Sequence, residues 1–167
     1  MKVEILLTRS DTFISNKIAL ATGCEASHVA IRVGAYVWEA RGDIKNPRVI
    51  KQKYTDMLNN PKLQKVWAHE IFVTDIVGAV EWLTKREGIK YDFANTLFLQ
   101  PIILLIDKLV GQNKNSIADN RYQCAEFGAD FVMEWAVNSY VPKNDKIARW
   151  SPKTHYDAIN PTLILSR

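Results

Sequence analysis

The chain reads as a mixed α+β domain, a small and mainly antiparallel sheet with helices packed on it, and three observations carry that reading. Runs with a period of two residues, such as Val29, Ile31 and Val33, alternate with runs of helical period, such as Cys124, Phe127, Gly128, Phe131, Val132 and Trp135. A tight-turn dipeptide, Gly34-Ala35, separates two of the alternating runs. A length of 167 residues, 47% of them hydrophobic and 24% charged, supplies one core and no second, so residues 1–167 are read as a single domain.

Val3 to Thr8 begins the sheet, and Asp11 or Thr12 caps a helix that runs through Ile14, Ile18 and Leu20 and stops at Gly23. A hairpin follows: Val29, Ile31 and Val33 on one strand, a two-residue turn at Gly34-Ala35, then Tyr36, Trp38 and Ala40 on the next. Trp67 to Val73 predicts another strand, and Asp75 caps a helix through Val80, Trp82 and Leu83 to Gly88. After Tyr91-Asp92-Phe93 a helical, apolar stretch reaches about Val110, interrupted by Pro101, and residues 111–120 form a polar loop. The helix that opens at Cys124 is the best patterned, and the tail from Pro152 is read as turn-rich with a short strand at Thr162 to Leu165.

Composition excludes several classes. A net charge of +4 is mild, and its densest stretch, Lys45, Arg48, Lys51 and Lys53, is broken by apolar residues as a solvated edge would be, so no nucleic-acid partner is expected. The N-terminus lacks the features of a secretory signal, and the longest apolar run, Leu97 to Ile106, is shorter than the roughly 20 residues a span requires. No integral membrane segment and a cytoplasmic location are the resulting expectations. Only two cysteines occur, Cys24 and Cys124, with no CxxC, HExxH or phosphate-cradling glycine motif, so neither a disulfide framework, a metal nor a nucleotide cofactor is expected.

The hairpin register places chemistry. A turn centred on Gly34-Ala35 sets Ala30 opposite Glu39, Arg32 opposite Val37 and His28 opposite Arg41. His28 and Glu39 then share one side of the sheet, a diagonal step of roughly 7 Å apart, within reach of a carboxylate that orients an imidazole. Arg41 is a competitor for the same carboxylate. The other side carries Val29, Ile31, Val33, Tyr36 and Trp38, an apolar set suited to a helix layer.

Cys124 stands at a helix start, where unsatisfied N–H groups and the helix dipole favour thiolate over thiol. Taken alone it is an ordinary buried thiol at the head of an apolar stripe; with His28 and Glu39 added, the three residue types of a thiol hydrolase are present. Tyr122 could donate a hydroxyl to a developing oxyanion. The remaining candidates read as structural: Cys24 as a small packing residue, His69 as a satisfied strand histidine, His155 as a solvent-facing residue of the tail, and Trp135 and Trp150 as core or rim residues.

Together, Ser27-His28-Val29-Ala30-Ile31, the Glu39 of Val37-Trp38-Glu39-Ala40, Tyr91-Asp92 after Gly88, and Tyr122-Gln123-Cys124-Ala125-Glu126-Phe127 resemble the circularly permuted, YiiX-like branch of the NlpC-type papain-like cysteine hydrolases, from about Phe13 to Trp135. The resemblance implies a permuted papain-like fold, with Cys124 as nucleophile, His28 as general base and acid, Glu39 as the orienting group and Tyr122 near the oxyanion. Ala125 departs from the serine frequent in relatives. Implied substrates are peptide amides, as in cell-wall peptides, or lipid acyl groups. A third option is a binding module that keeps the pocket without catalysis.

Overall fold

The computed structural model describes residues 2–42, 46–91, 123–141 and 151–167. These form β1 (Val3–Ser10), α1 (Phe13–Thr22), β2 (His28–Val33), β3 (Tyr36–Arg41), β4 (Arg48–Lys53), α2 (Tyr54–Leu58), β5 (Leu63–Ile71), α3 (Ile76–Lys85), α4 (Cys124–Trp135), α5 (Pro152–Ile159) and β6 (Thr162–Ser166). The six strands join one antiparallel sheet in the order β4-β3-β2-β1-β5-β6. The expected apolar stretch to Val110, the loop 111–120, Lys45, Tyr122 and Trp150 lie outside the described residues.

Local signals set the element ends. Thr12 is the cap of α1, its hydroxyl accepting from Ser15 N–H at 3.2 Å, and Gly23 closes the helix in the left-handed region at φ 64°. Asp75 caps α3 by accepting from Val77 N–H at 2.9 Å. Gly34, at φ 59°, takes the left-handed position of the hairpin turn. β1 runs two residues beyond Thr8, β5 starts at Leu63 and ends at Ile71, and α3 ends at Lys85.

Arg48, Lys51 and Lys53 of the basic stretch face solvent on β4, an edge strand of the sheet, as a solvated edge requires, though the sequence predicts no strand there. The tail differs from expectation and is not turn-rich: Ser151 caps a helix by accepting from Thr154 N–H at 3.2 Å, with Pro152 in the first turn, and β6 follows against β5.

Both sheet faces are covered. On one, Val29, Ile31, Val33 and Trp38 pack with Phe127, Phe131 and Val132 of α4 and with Ala79 and Leu83 of α3. Phe127 and Phe131 have no exposure, and burial of each side chain stabilises the fold by roughly 1.5–3 kcal/mol. Tyr36, expected with this set, is 41% exposed at the turn and meets Trp38 edge-on. On the other face Leu6, Ala30 and Val37 pack with Met57, Leu63 and Val66 under α2. Helix α4 lies close to β2 because Gly128 has no side chain: a Cβ there would stand 2.7 Å from Val29 Cγ1.

Candidate active site

The hairpin opens where the candidate residues meet. β2 and β3 pair at Ile31–Trp38, Arg32–Val37 and Val33–Tyr36, the predicted register, but the expected pairs Ala30–Glu39 and His28–Arg41 do not continue the ladder. Beyond Ile31, β2 follows β1 out to Thr8–His28, while β3 follows β4 out to Arg41–Arg48, so the two strands part. His28 and Glu39 still share a side, and His28 Nε2 lies 2.6 Å from Glu39 Oε2.

Cys124 reaches this opening from the helix layer. Helix α4 begins at Cys124 itself, with Gln123 as its cap and the Glu126 carboxylate accepting from Gln123 N–H at 3.0 Å. The thiol is 5% exposed, and it lies against His28, close enough for a hydrogen bond and a charge interaction. Nε2 is committed to Glu39, so Nδ1 is the ring nitrogen left for the sulfur. Burial alone raises the thiol pKa; the His28 charge and hydrogen bond, with backbone N–H groups of Val29 and Ala125, outweigh it and hold the thiol below its ordinary value. The parting of the hairpin is what frees Val29 N–H for this contact.

The same balance sets the histidine. Burial opposes its charged form, but the charge and hydrogen bond of Cys124, followed by those of Glu39, push its pKa up to about 10. Both shifts favour a proton held on the ring and a thiolate on the sulfur. Glu39 is itself 5% exposed and held ionised: burial would raise its pKa, and the hydrogen bond and charge of His28, then Arg41, lower it. Arg41 does not displace His28; its Nη2 donates at 3.0 Å to the other carboxylate oxygen, Oε1, which also accepts from Gln52 Nε2. Gln52, on β4, escaped the sequence reading. Its signal was register, since Ile50 faces Glu39 and Gln52 is the next residue on that side.

A cleft of about 440 Å³ opens on the His28 side of the sheet, with Cys124, His28 and Glu39 in its wall. Its lining includes the hydroxyl-bearing Thr8, Ser10, Thr12, Ser15 and Ser27 and the apolar Ile14, Ile18, Met57 and Leu63. Ser27, immediately before His28, ties the histidine strand to α1: its hydroxyl donates to Thr8 C=O at 3.3 Å and so accepts from Ser15. Ser15 Oγ in turn accepts from Ser10 N–H at 3.1 Å.

His155 corrects the sequence reading most sharply, for it is fully buried on α5 rather than solvent-facing. Its Nε2 stands 2.9 Å from Ala125 C=O, which can only accept, so Nε2 carries the proton and Nδ1 accepts from Tyr140 O–H at 2.7 Å. The ring thus braces the first turn of α4, one residue past Cys124. Burial, opposed by the Ala125 hydrogen bond, lowers its pKa to about 4, and burial raises that of Tyr140. The unfolded ring takes a proton below about pH 6.5 and the folded ring does not until about pH 4, so stability is full at neutral pH and falls with pH across that window. The expected loss from this ring is about 3 kcal/mol. Urea unfolding at pH 7 and pH 4 should show it, and His155→Gln should flatten the difference; an equally steep dependence in the variant would assign it elsewhere.

Of the other candidates, Cys24 is a buried packing residue whose pKa is raised by burial, and His69 is half-buried on β5 with its ring edge-on to Tyr140. Among the described residues no group of three His, Cys, Asp or Glu side chains is placed to hold a metal ion, and no helix is long and apolar enough to cross a membrane. No protein-family model, curated protein or solved structure matches the chain.

Proposed function

We propose that this chain is a cysteine-dependent hydrolase of amide or ester bonds, with a fold of the permuted papain-like kind. The observation that supports it most is the setting of His28, whose Nε2 meets a buried carboxylate and whose ring interacts with the Cys124 thiol. The Cys124 thiolate adds to the carbonyl carbon, and the N–H groups that lower its pKa, those of Val29 and Ala125, are at hand for the oxyanion. Tyr122, two residues before the nucleophile in sequence, is the proposed hydroxyl donor. As the tetrahedral species collapses, the bond to the amine or alcohol breaks and His28 Nδ1 passes its proton to that leaving group. A thioester on Cys124 remains. Water then adds to it while giving a proton to His28, and the carboxylic acid departs as the thiol pair is restored. Glu39 keeps the ring oriented and favours its charged form throughout.

The apolar wall of Ile14, Ile18, Met57 and Leu63 favours an acyl chain as one arm of the substrate over a purely polar peptide. Incubation with muropeptides and with acyl esters separates the two. The test of the reaction itself is capture of the intermediate: brief exposure to p-nitrophenyl acetate and an acid quench should leave an acetyl group on the peptide containing Cys124, absent in Cys124→Ser at the same quench time. Nitrophenol release with no adduct on Cys124, or no release at all, would defeat the proposal.

A further inference from the structure

We infer that the cleft beside Cys124 selects substrates bearing an anionic group, a carboxylate or a phosphate, near the scissile bond, and that Lys62 is the side chain that reads it. The inference rests on the hydrolase reading above for the word substrate, but its charge argument stands on the cleft alone. Glu39 is the only carboxylate in the described lining, and it is committed: Oε2 to His28, Oε1 to Arg41 and Gln52. Against Glu39 and the Cys124 thiolate stand His28, Arg41 and Lys62, so the described lining holds one positive charge in excess. Acylation removes the thiolate charge and proton loss to the leaving group removes the histidine charge, so the excess persists in the acyl-enzyme.

Lys62 is the source of that excess. Arg41 is spent on Glu39 at 3.0 Å, whereas Lys62, the one lysine of the described lining, forms no ion pair among the described residues. Its backbone is anchored at the cleft wall: Lys62 N–H donates to Asn60 Oδ1 at 3.0 Å, and Lys62 C=O accepts from Asp11 N–H at 2.7 Å. Asp11, the nearest acid by that bond, is not in the lining and makes no ion pair with the ammonium among the described residues. The apolar wall accommodates an uncharged arm, so the cleft suits an amphiphile with an acyl portion and an anionic portion.

The experiment has two arms on the full chain. First, Cys124 is alkylated with iodoacetate and with iodoacetamide, reagents of the same size that differ in charge, and the ratio of rates is referred to that of 2-mercaptoethanol. The wild type should favour iodoacetate, and Lys62→Glu should lower the ratio by about fivefold or more at low salt, with Lys62→Gln between them and 0.5 M salt narrowing the gap. This arm needs only a reactive thiol, so it stands even if hydrolysis is absent. Second, nitrophenyl esters matched in length and ending in methyl, carboxylate or phosphate are compared by kcat/KM; a preference for the carboxylate or the phosphate identifies the source of the anion. Equal ratios in wild type and both Lys62 variants, or a neutral ester that outpaces both anionic ones, would overturn the inference. Failure to turn over any ester, with the alkylation ratio still dependent on Lys62, would overturn the hydrolase reading and keep the anion site.

Discussion

Replacing His28 with alanine is expected to slow alkylation of Cys124 at pH 6 by about 100-fold or more, because the thiolate fraction falls with the loss of its partner charge. The thiol pKa is the outcome of opposed effects: burial raises it, and the His28 charge and hydrogen bond lead the groups that lower it. Removing His28 leaves burial opposed only by backbone N–H groups, and the thiol returns to or above an ordinary value near 8.5–9, at which only about one molecule in several hundred is ionised at pH 6. In the wild type the pair persists between the lowered cysteine value and the raised histidine value of about 10, so labelling should hold its plateau as pH falls below the range of a free thiol. Cys24, whose pKa is raised by burial, should be labelled slowly in both proteins and serves as the internal reference. Rates are read from the two cysteine peptides by mass spectrometry. Equal rates at Cys124 with and without His28 would sink the ion pair.

Replacing Glu39 with glutamine is expected to reduce kcat on a nitrophenyl ester by roughly 10²–10³-fold, the size of a lost orienting and charge-stabilising contribution to acid–base catalysis. Glutamine keeps the size but not the charge. The His28 imidazolium and the Arg41 guanidinium, now bridged by one carboxylate at 2.6 and 3.0 Å, would face one another without it. The Glu39 contribution to the raised His28 pKa disappears, so the imidazolium loses its proton at lower pH than in the wild type, and the alkaline limb of the pH–rate profile should move toward neutrality. A variant with reduced kcat but an unmoved alkaline limb would show that Glu39 acts on packing alone. Unchanged kcat would remove it from the mechanism.

How much of this was legible can be followed residue by residue. Gly34-Ala35 set the hairpin register, and from register alone His28 and Glu39 fall on one side of the sheet; Arg32 does face Val37. Thr12, Gly23 and Asp75 mark helix ends as their chemistry requires, and the spacing from Cys124 to Trp135 marks α4. These are short-range facts, governed by neighbours in the chain. The parting of β2 from β3, by contrast, depends on each strand keeping its other partner, so no reading of the hairpin by itself yields the freed Val29 N–H. Gln52 became a hydrogen-bond partner of Glu39 because β4 pairs with β3 in the register that sets Ile50 opposite Glu39. His155 reads as a solvent-facing residue because the tail around it reads as turn-rich, and its burial comes with contacts to Ala125 of α4 and to Tyr140.

The amino-acid order by itself determined the α+β character, the helix opening at Cys124 and the pairing of imidazole with carboxylate, since caps, alternation and turn geometry act over a few residues. Tertiary structure alone decided that the sulfur, delivered from the helix layer on one face, meets the ring and carboxylate carried on the other. It also decided how the proton is shared between them, because burial, partner charge and freed backbone N–H groups exist only once distant segments pack.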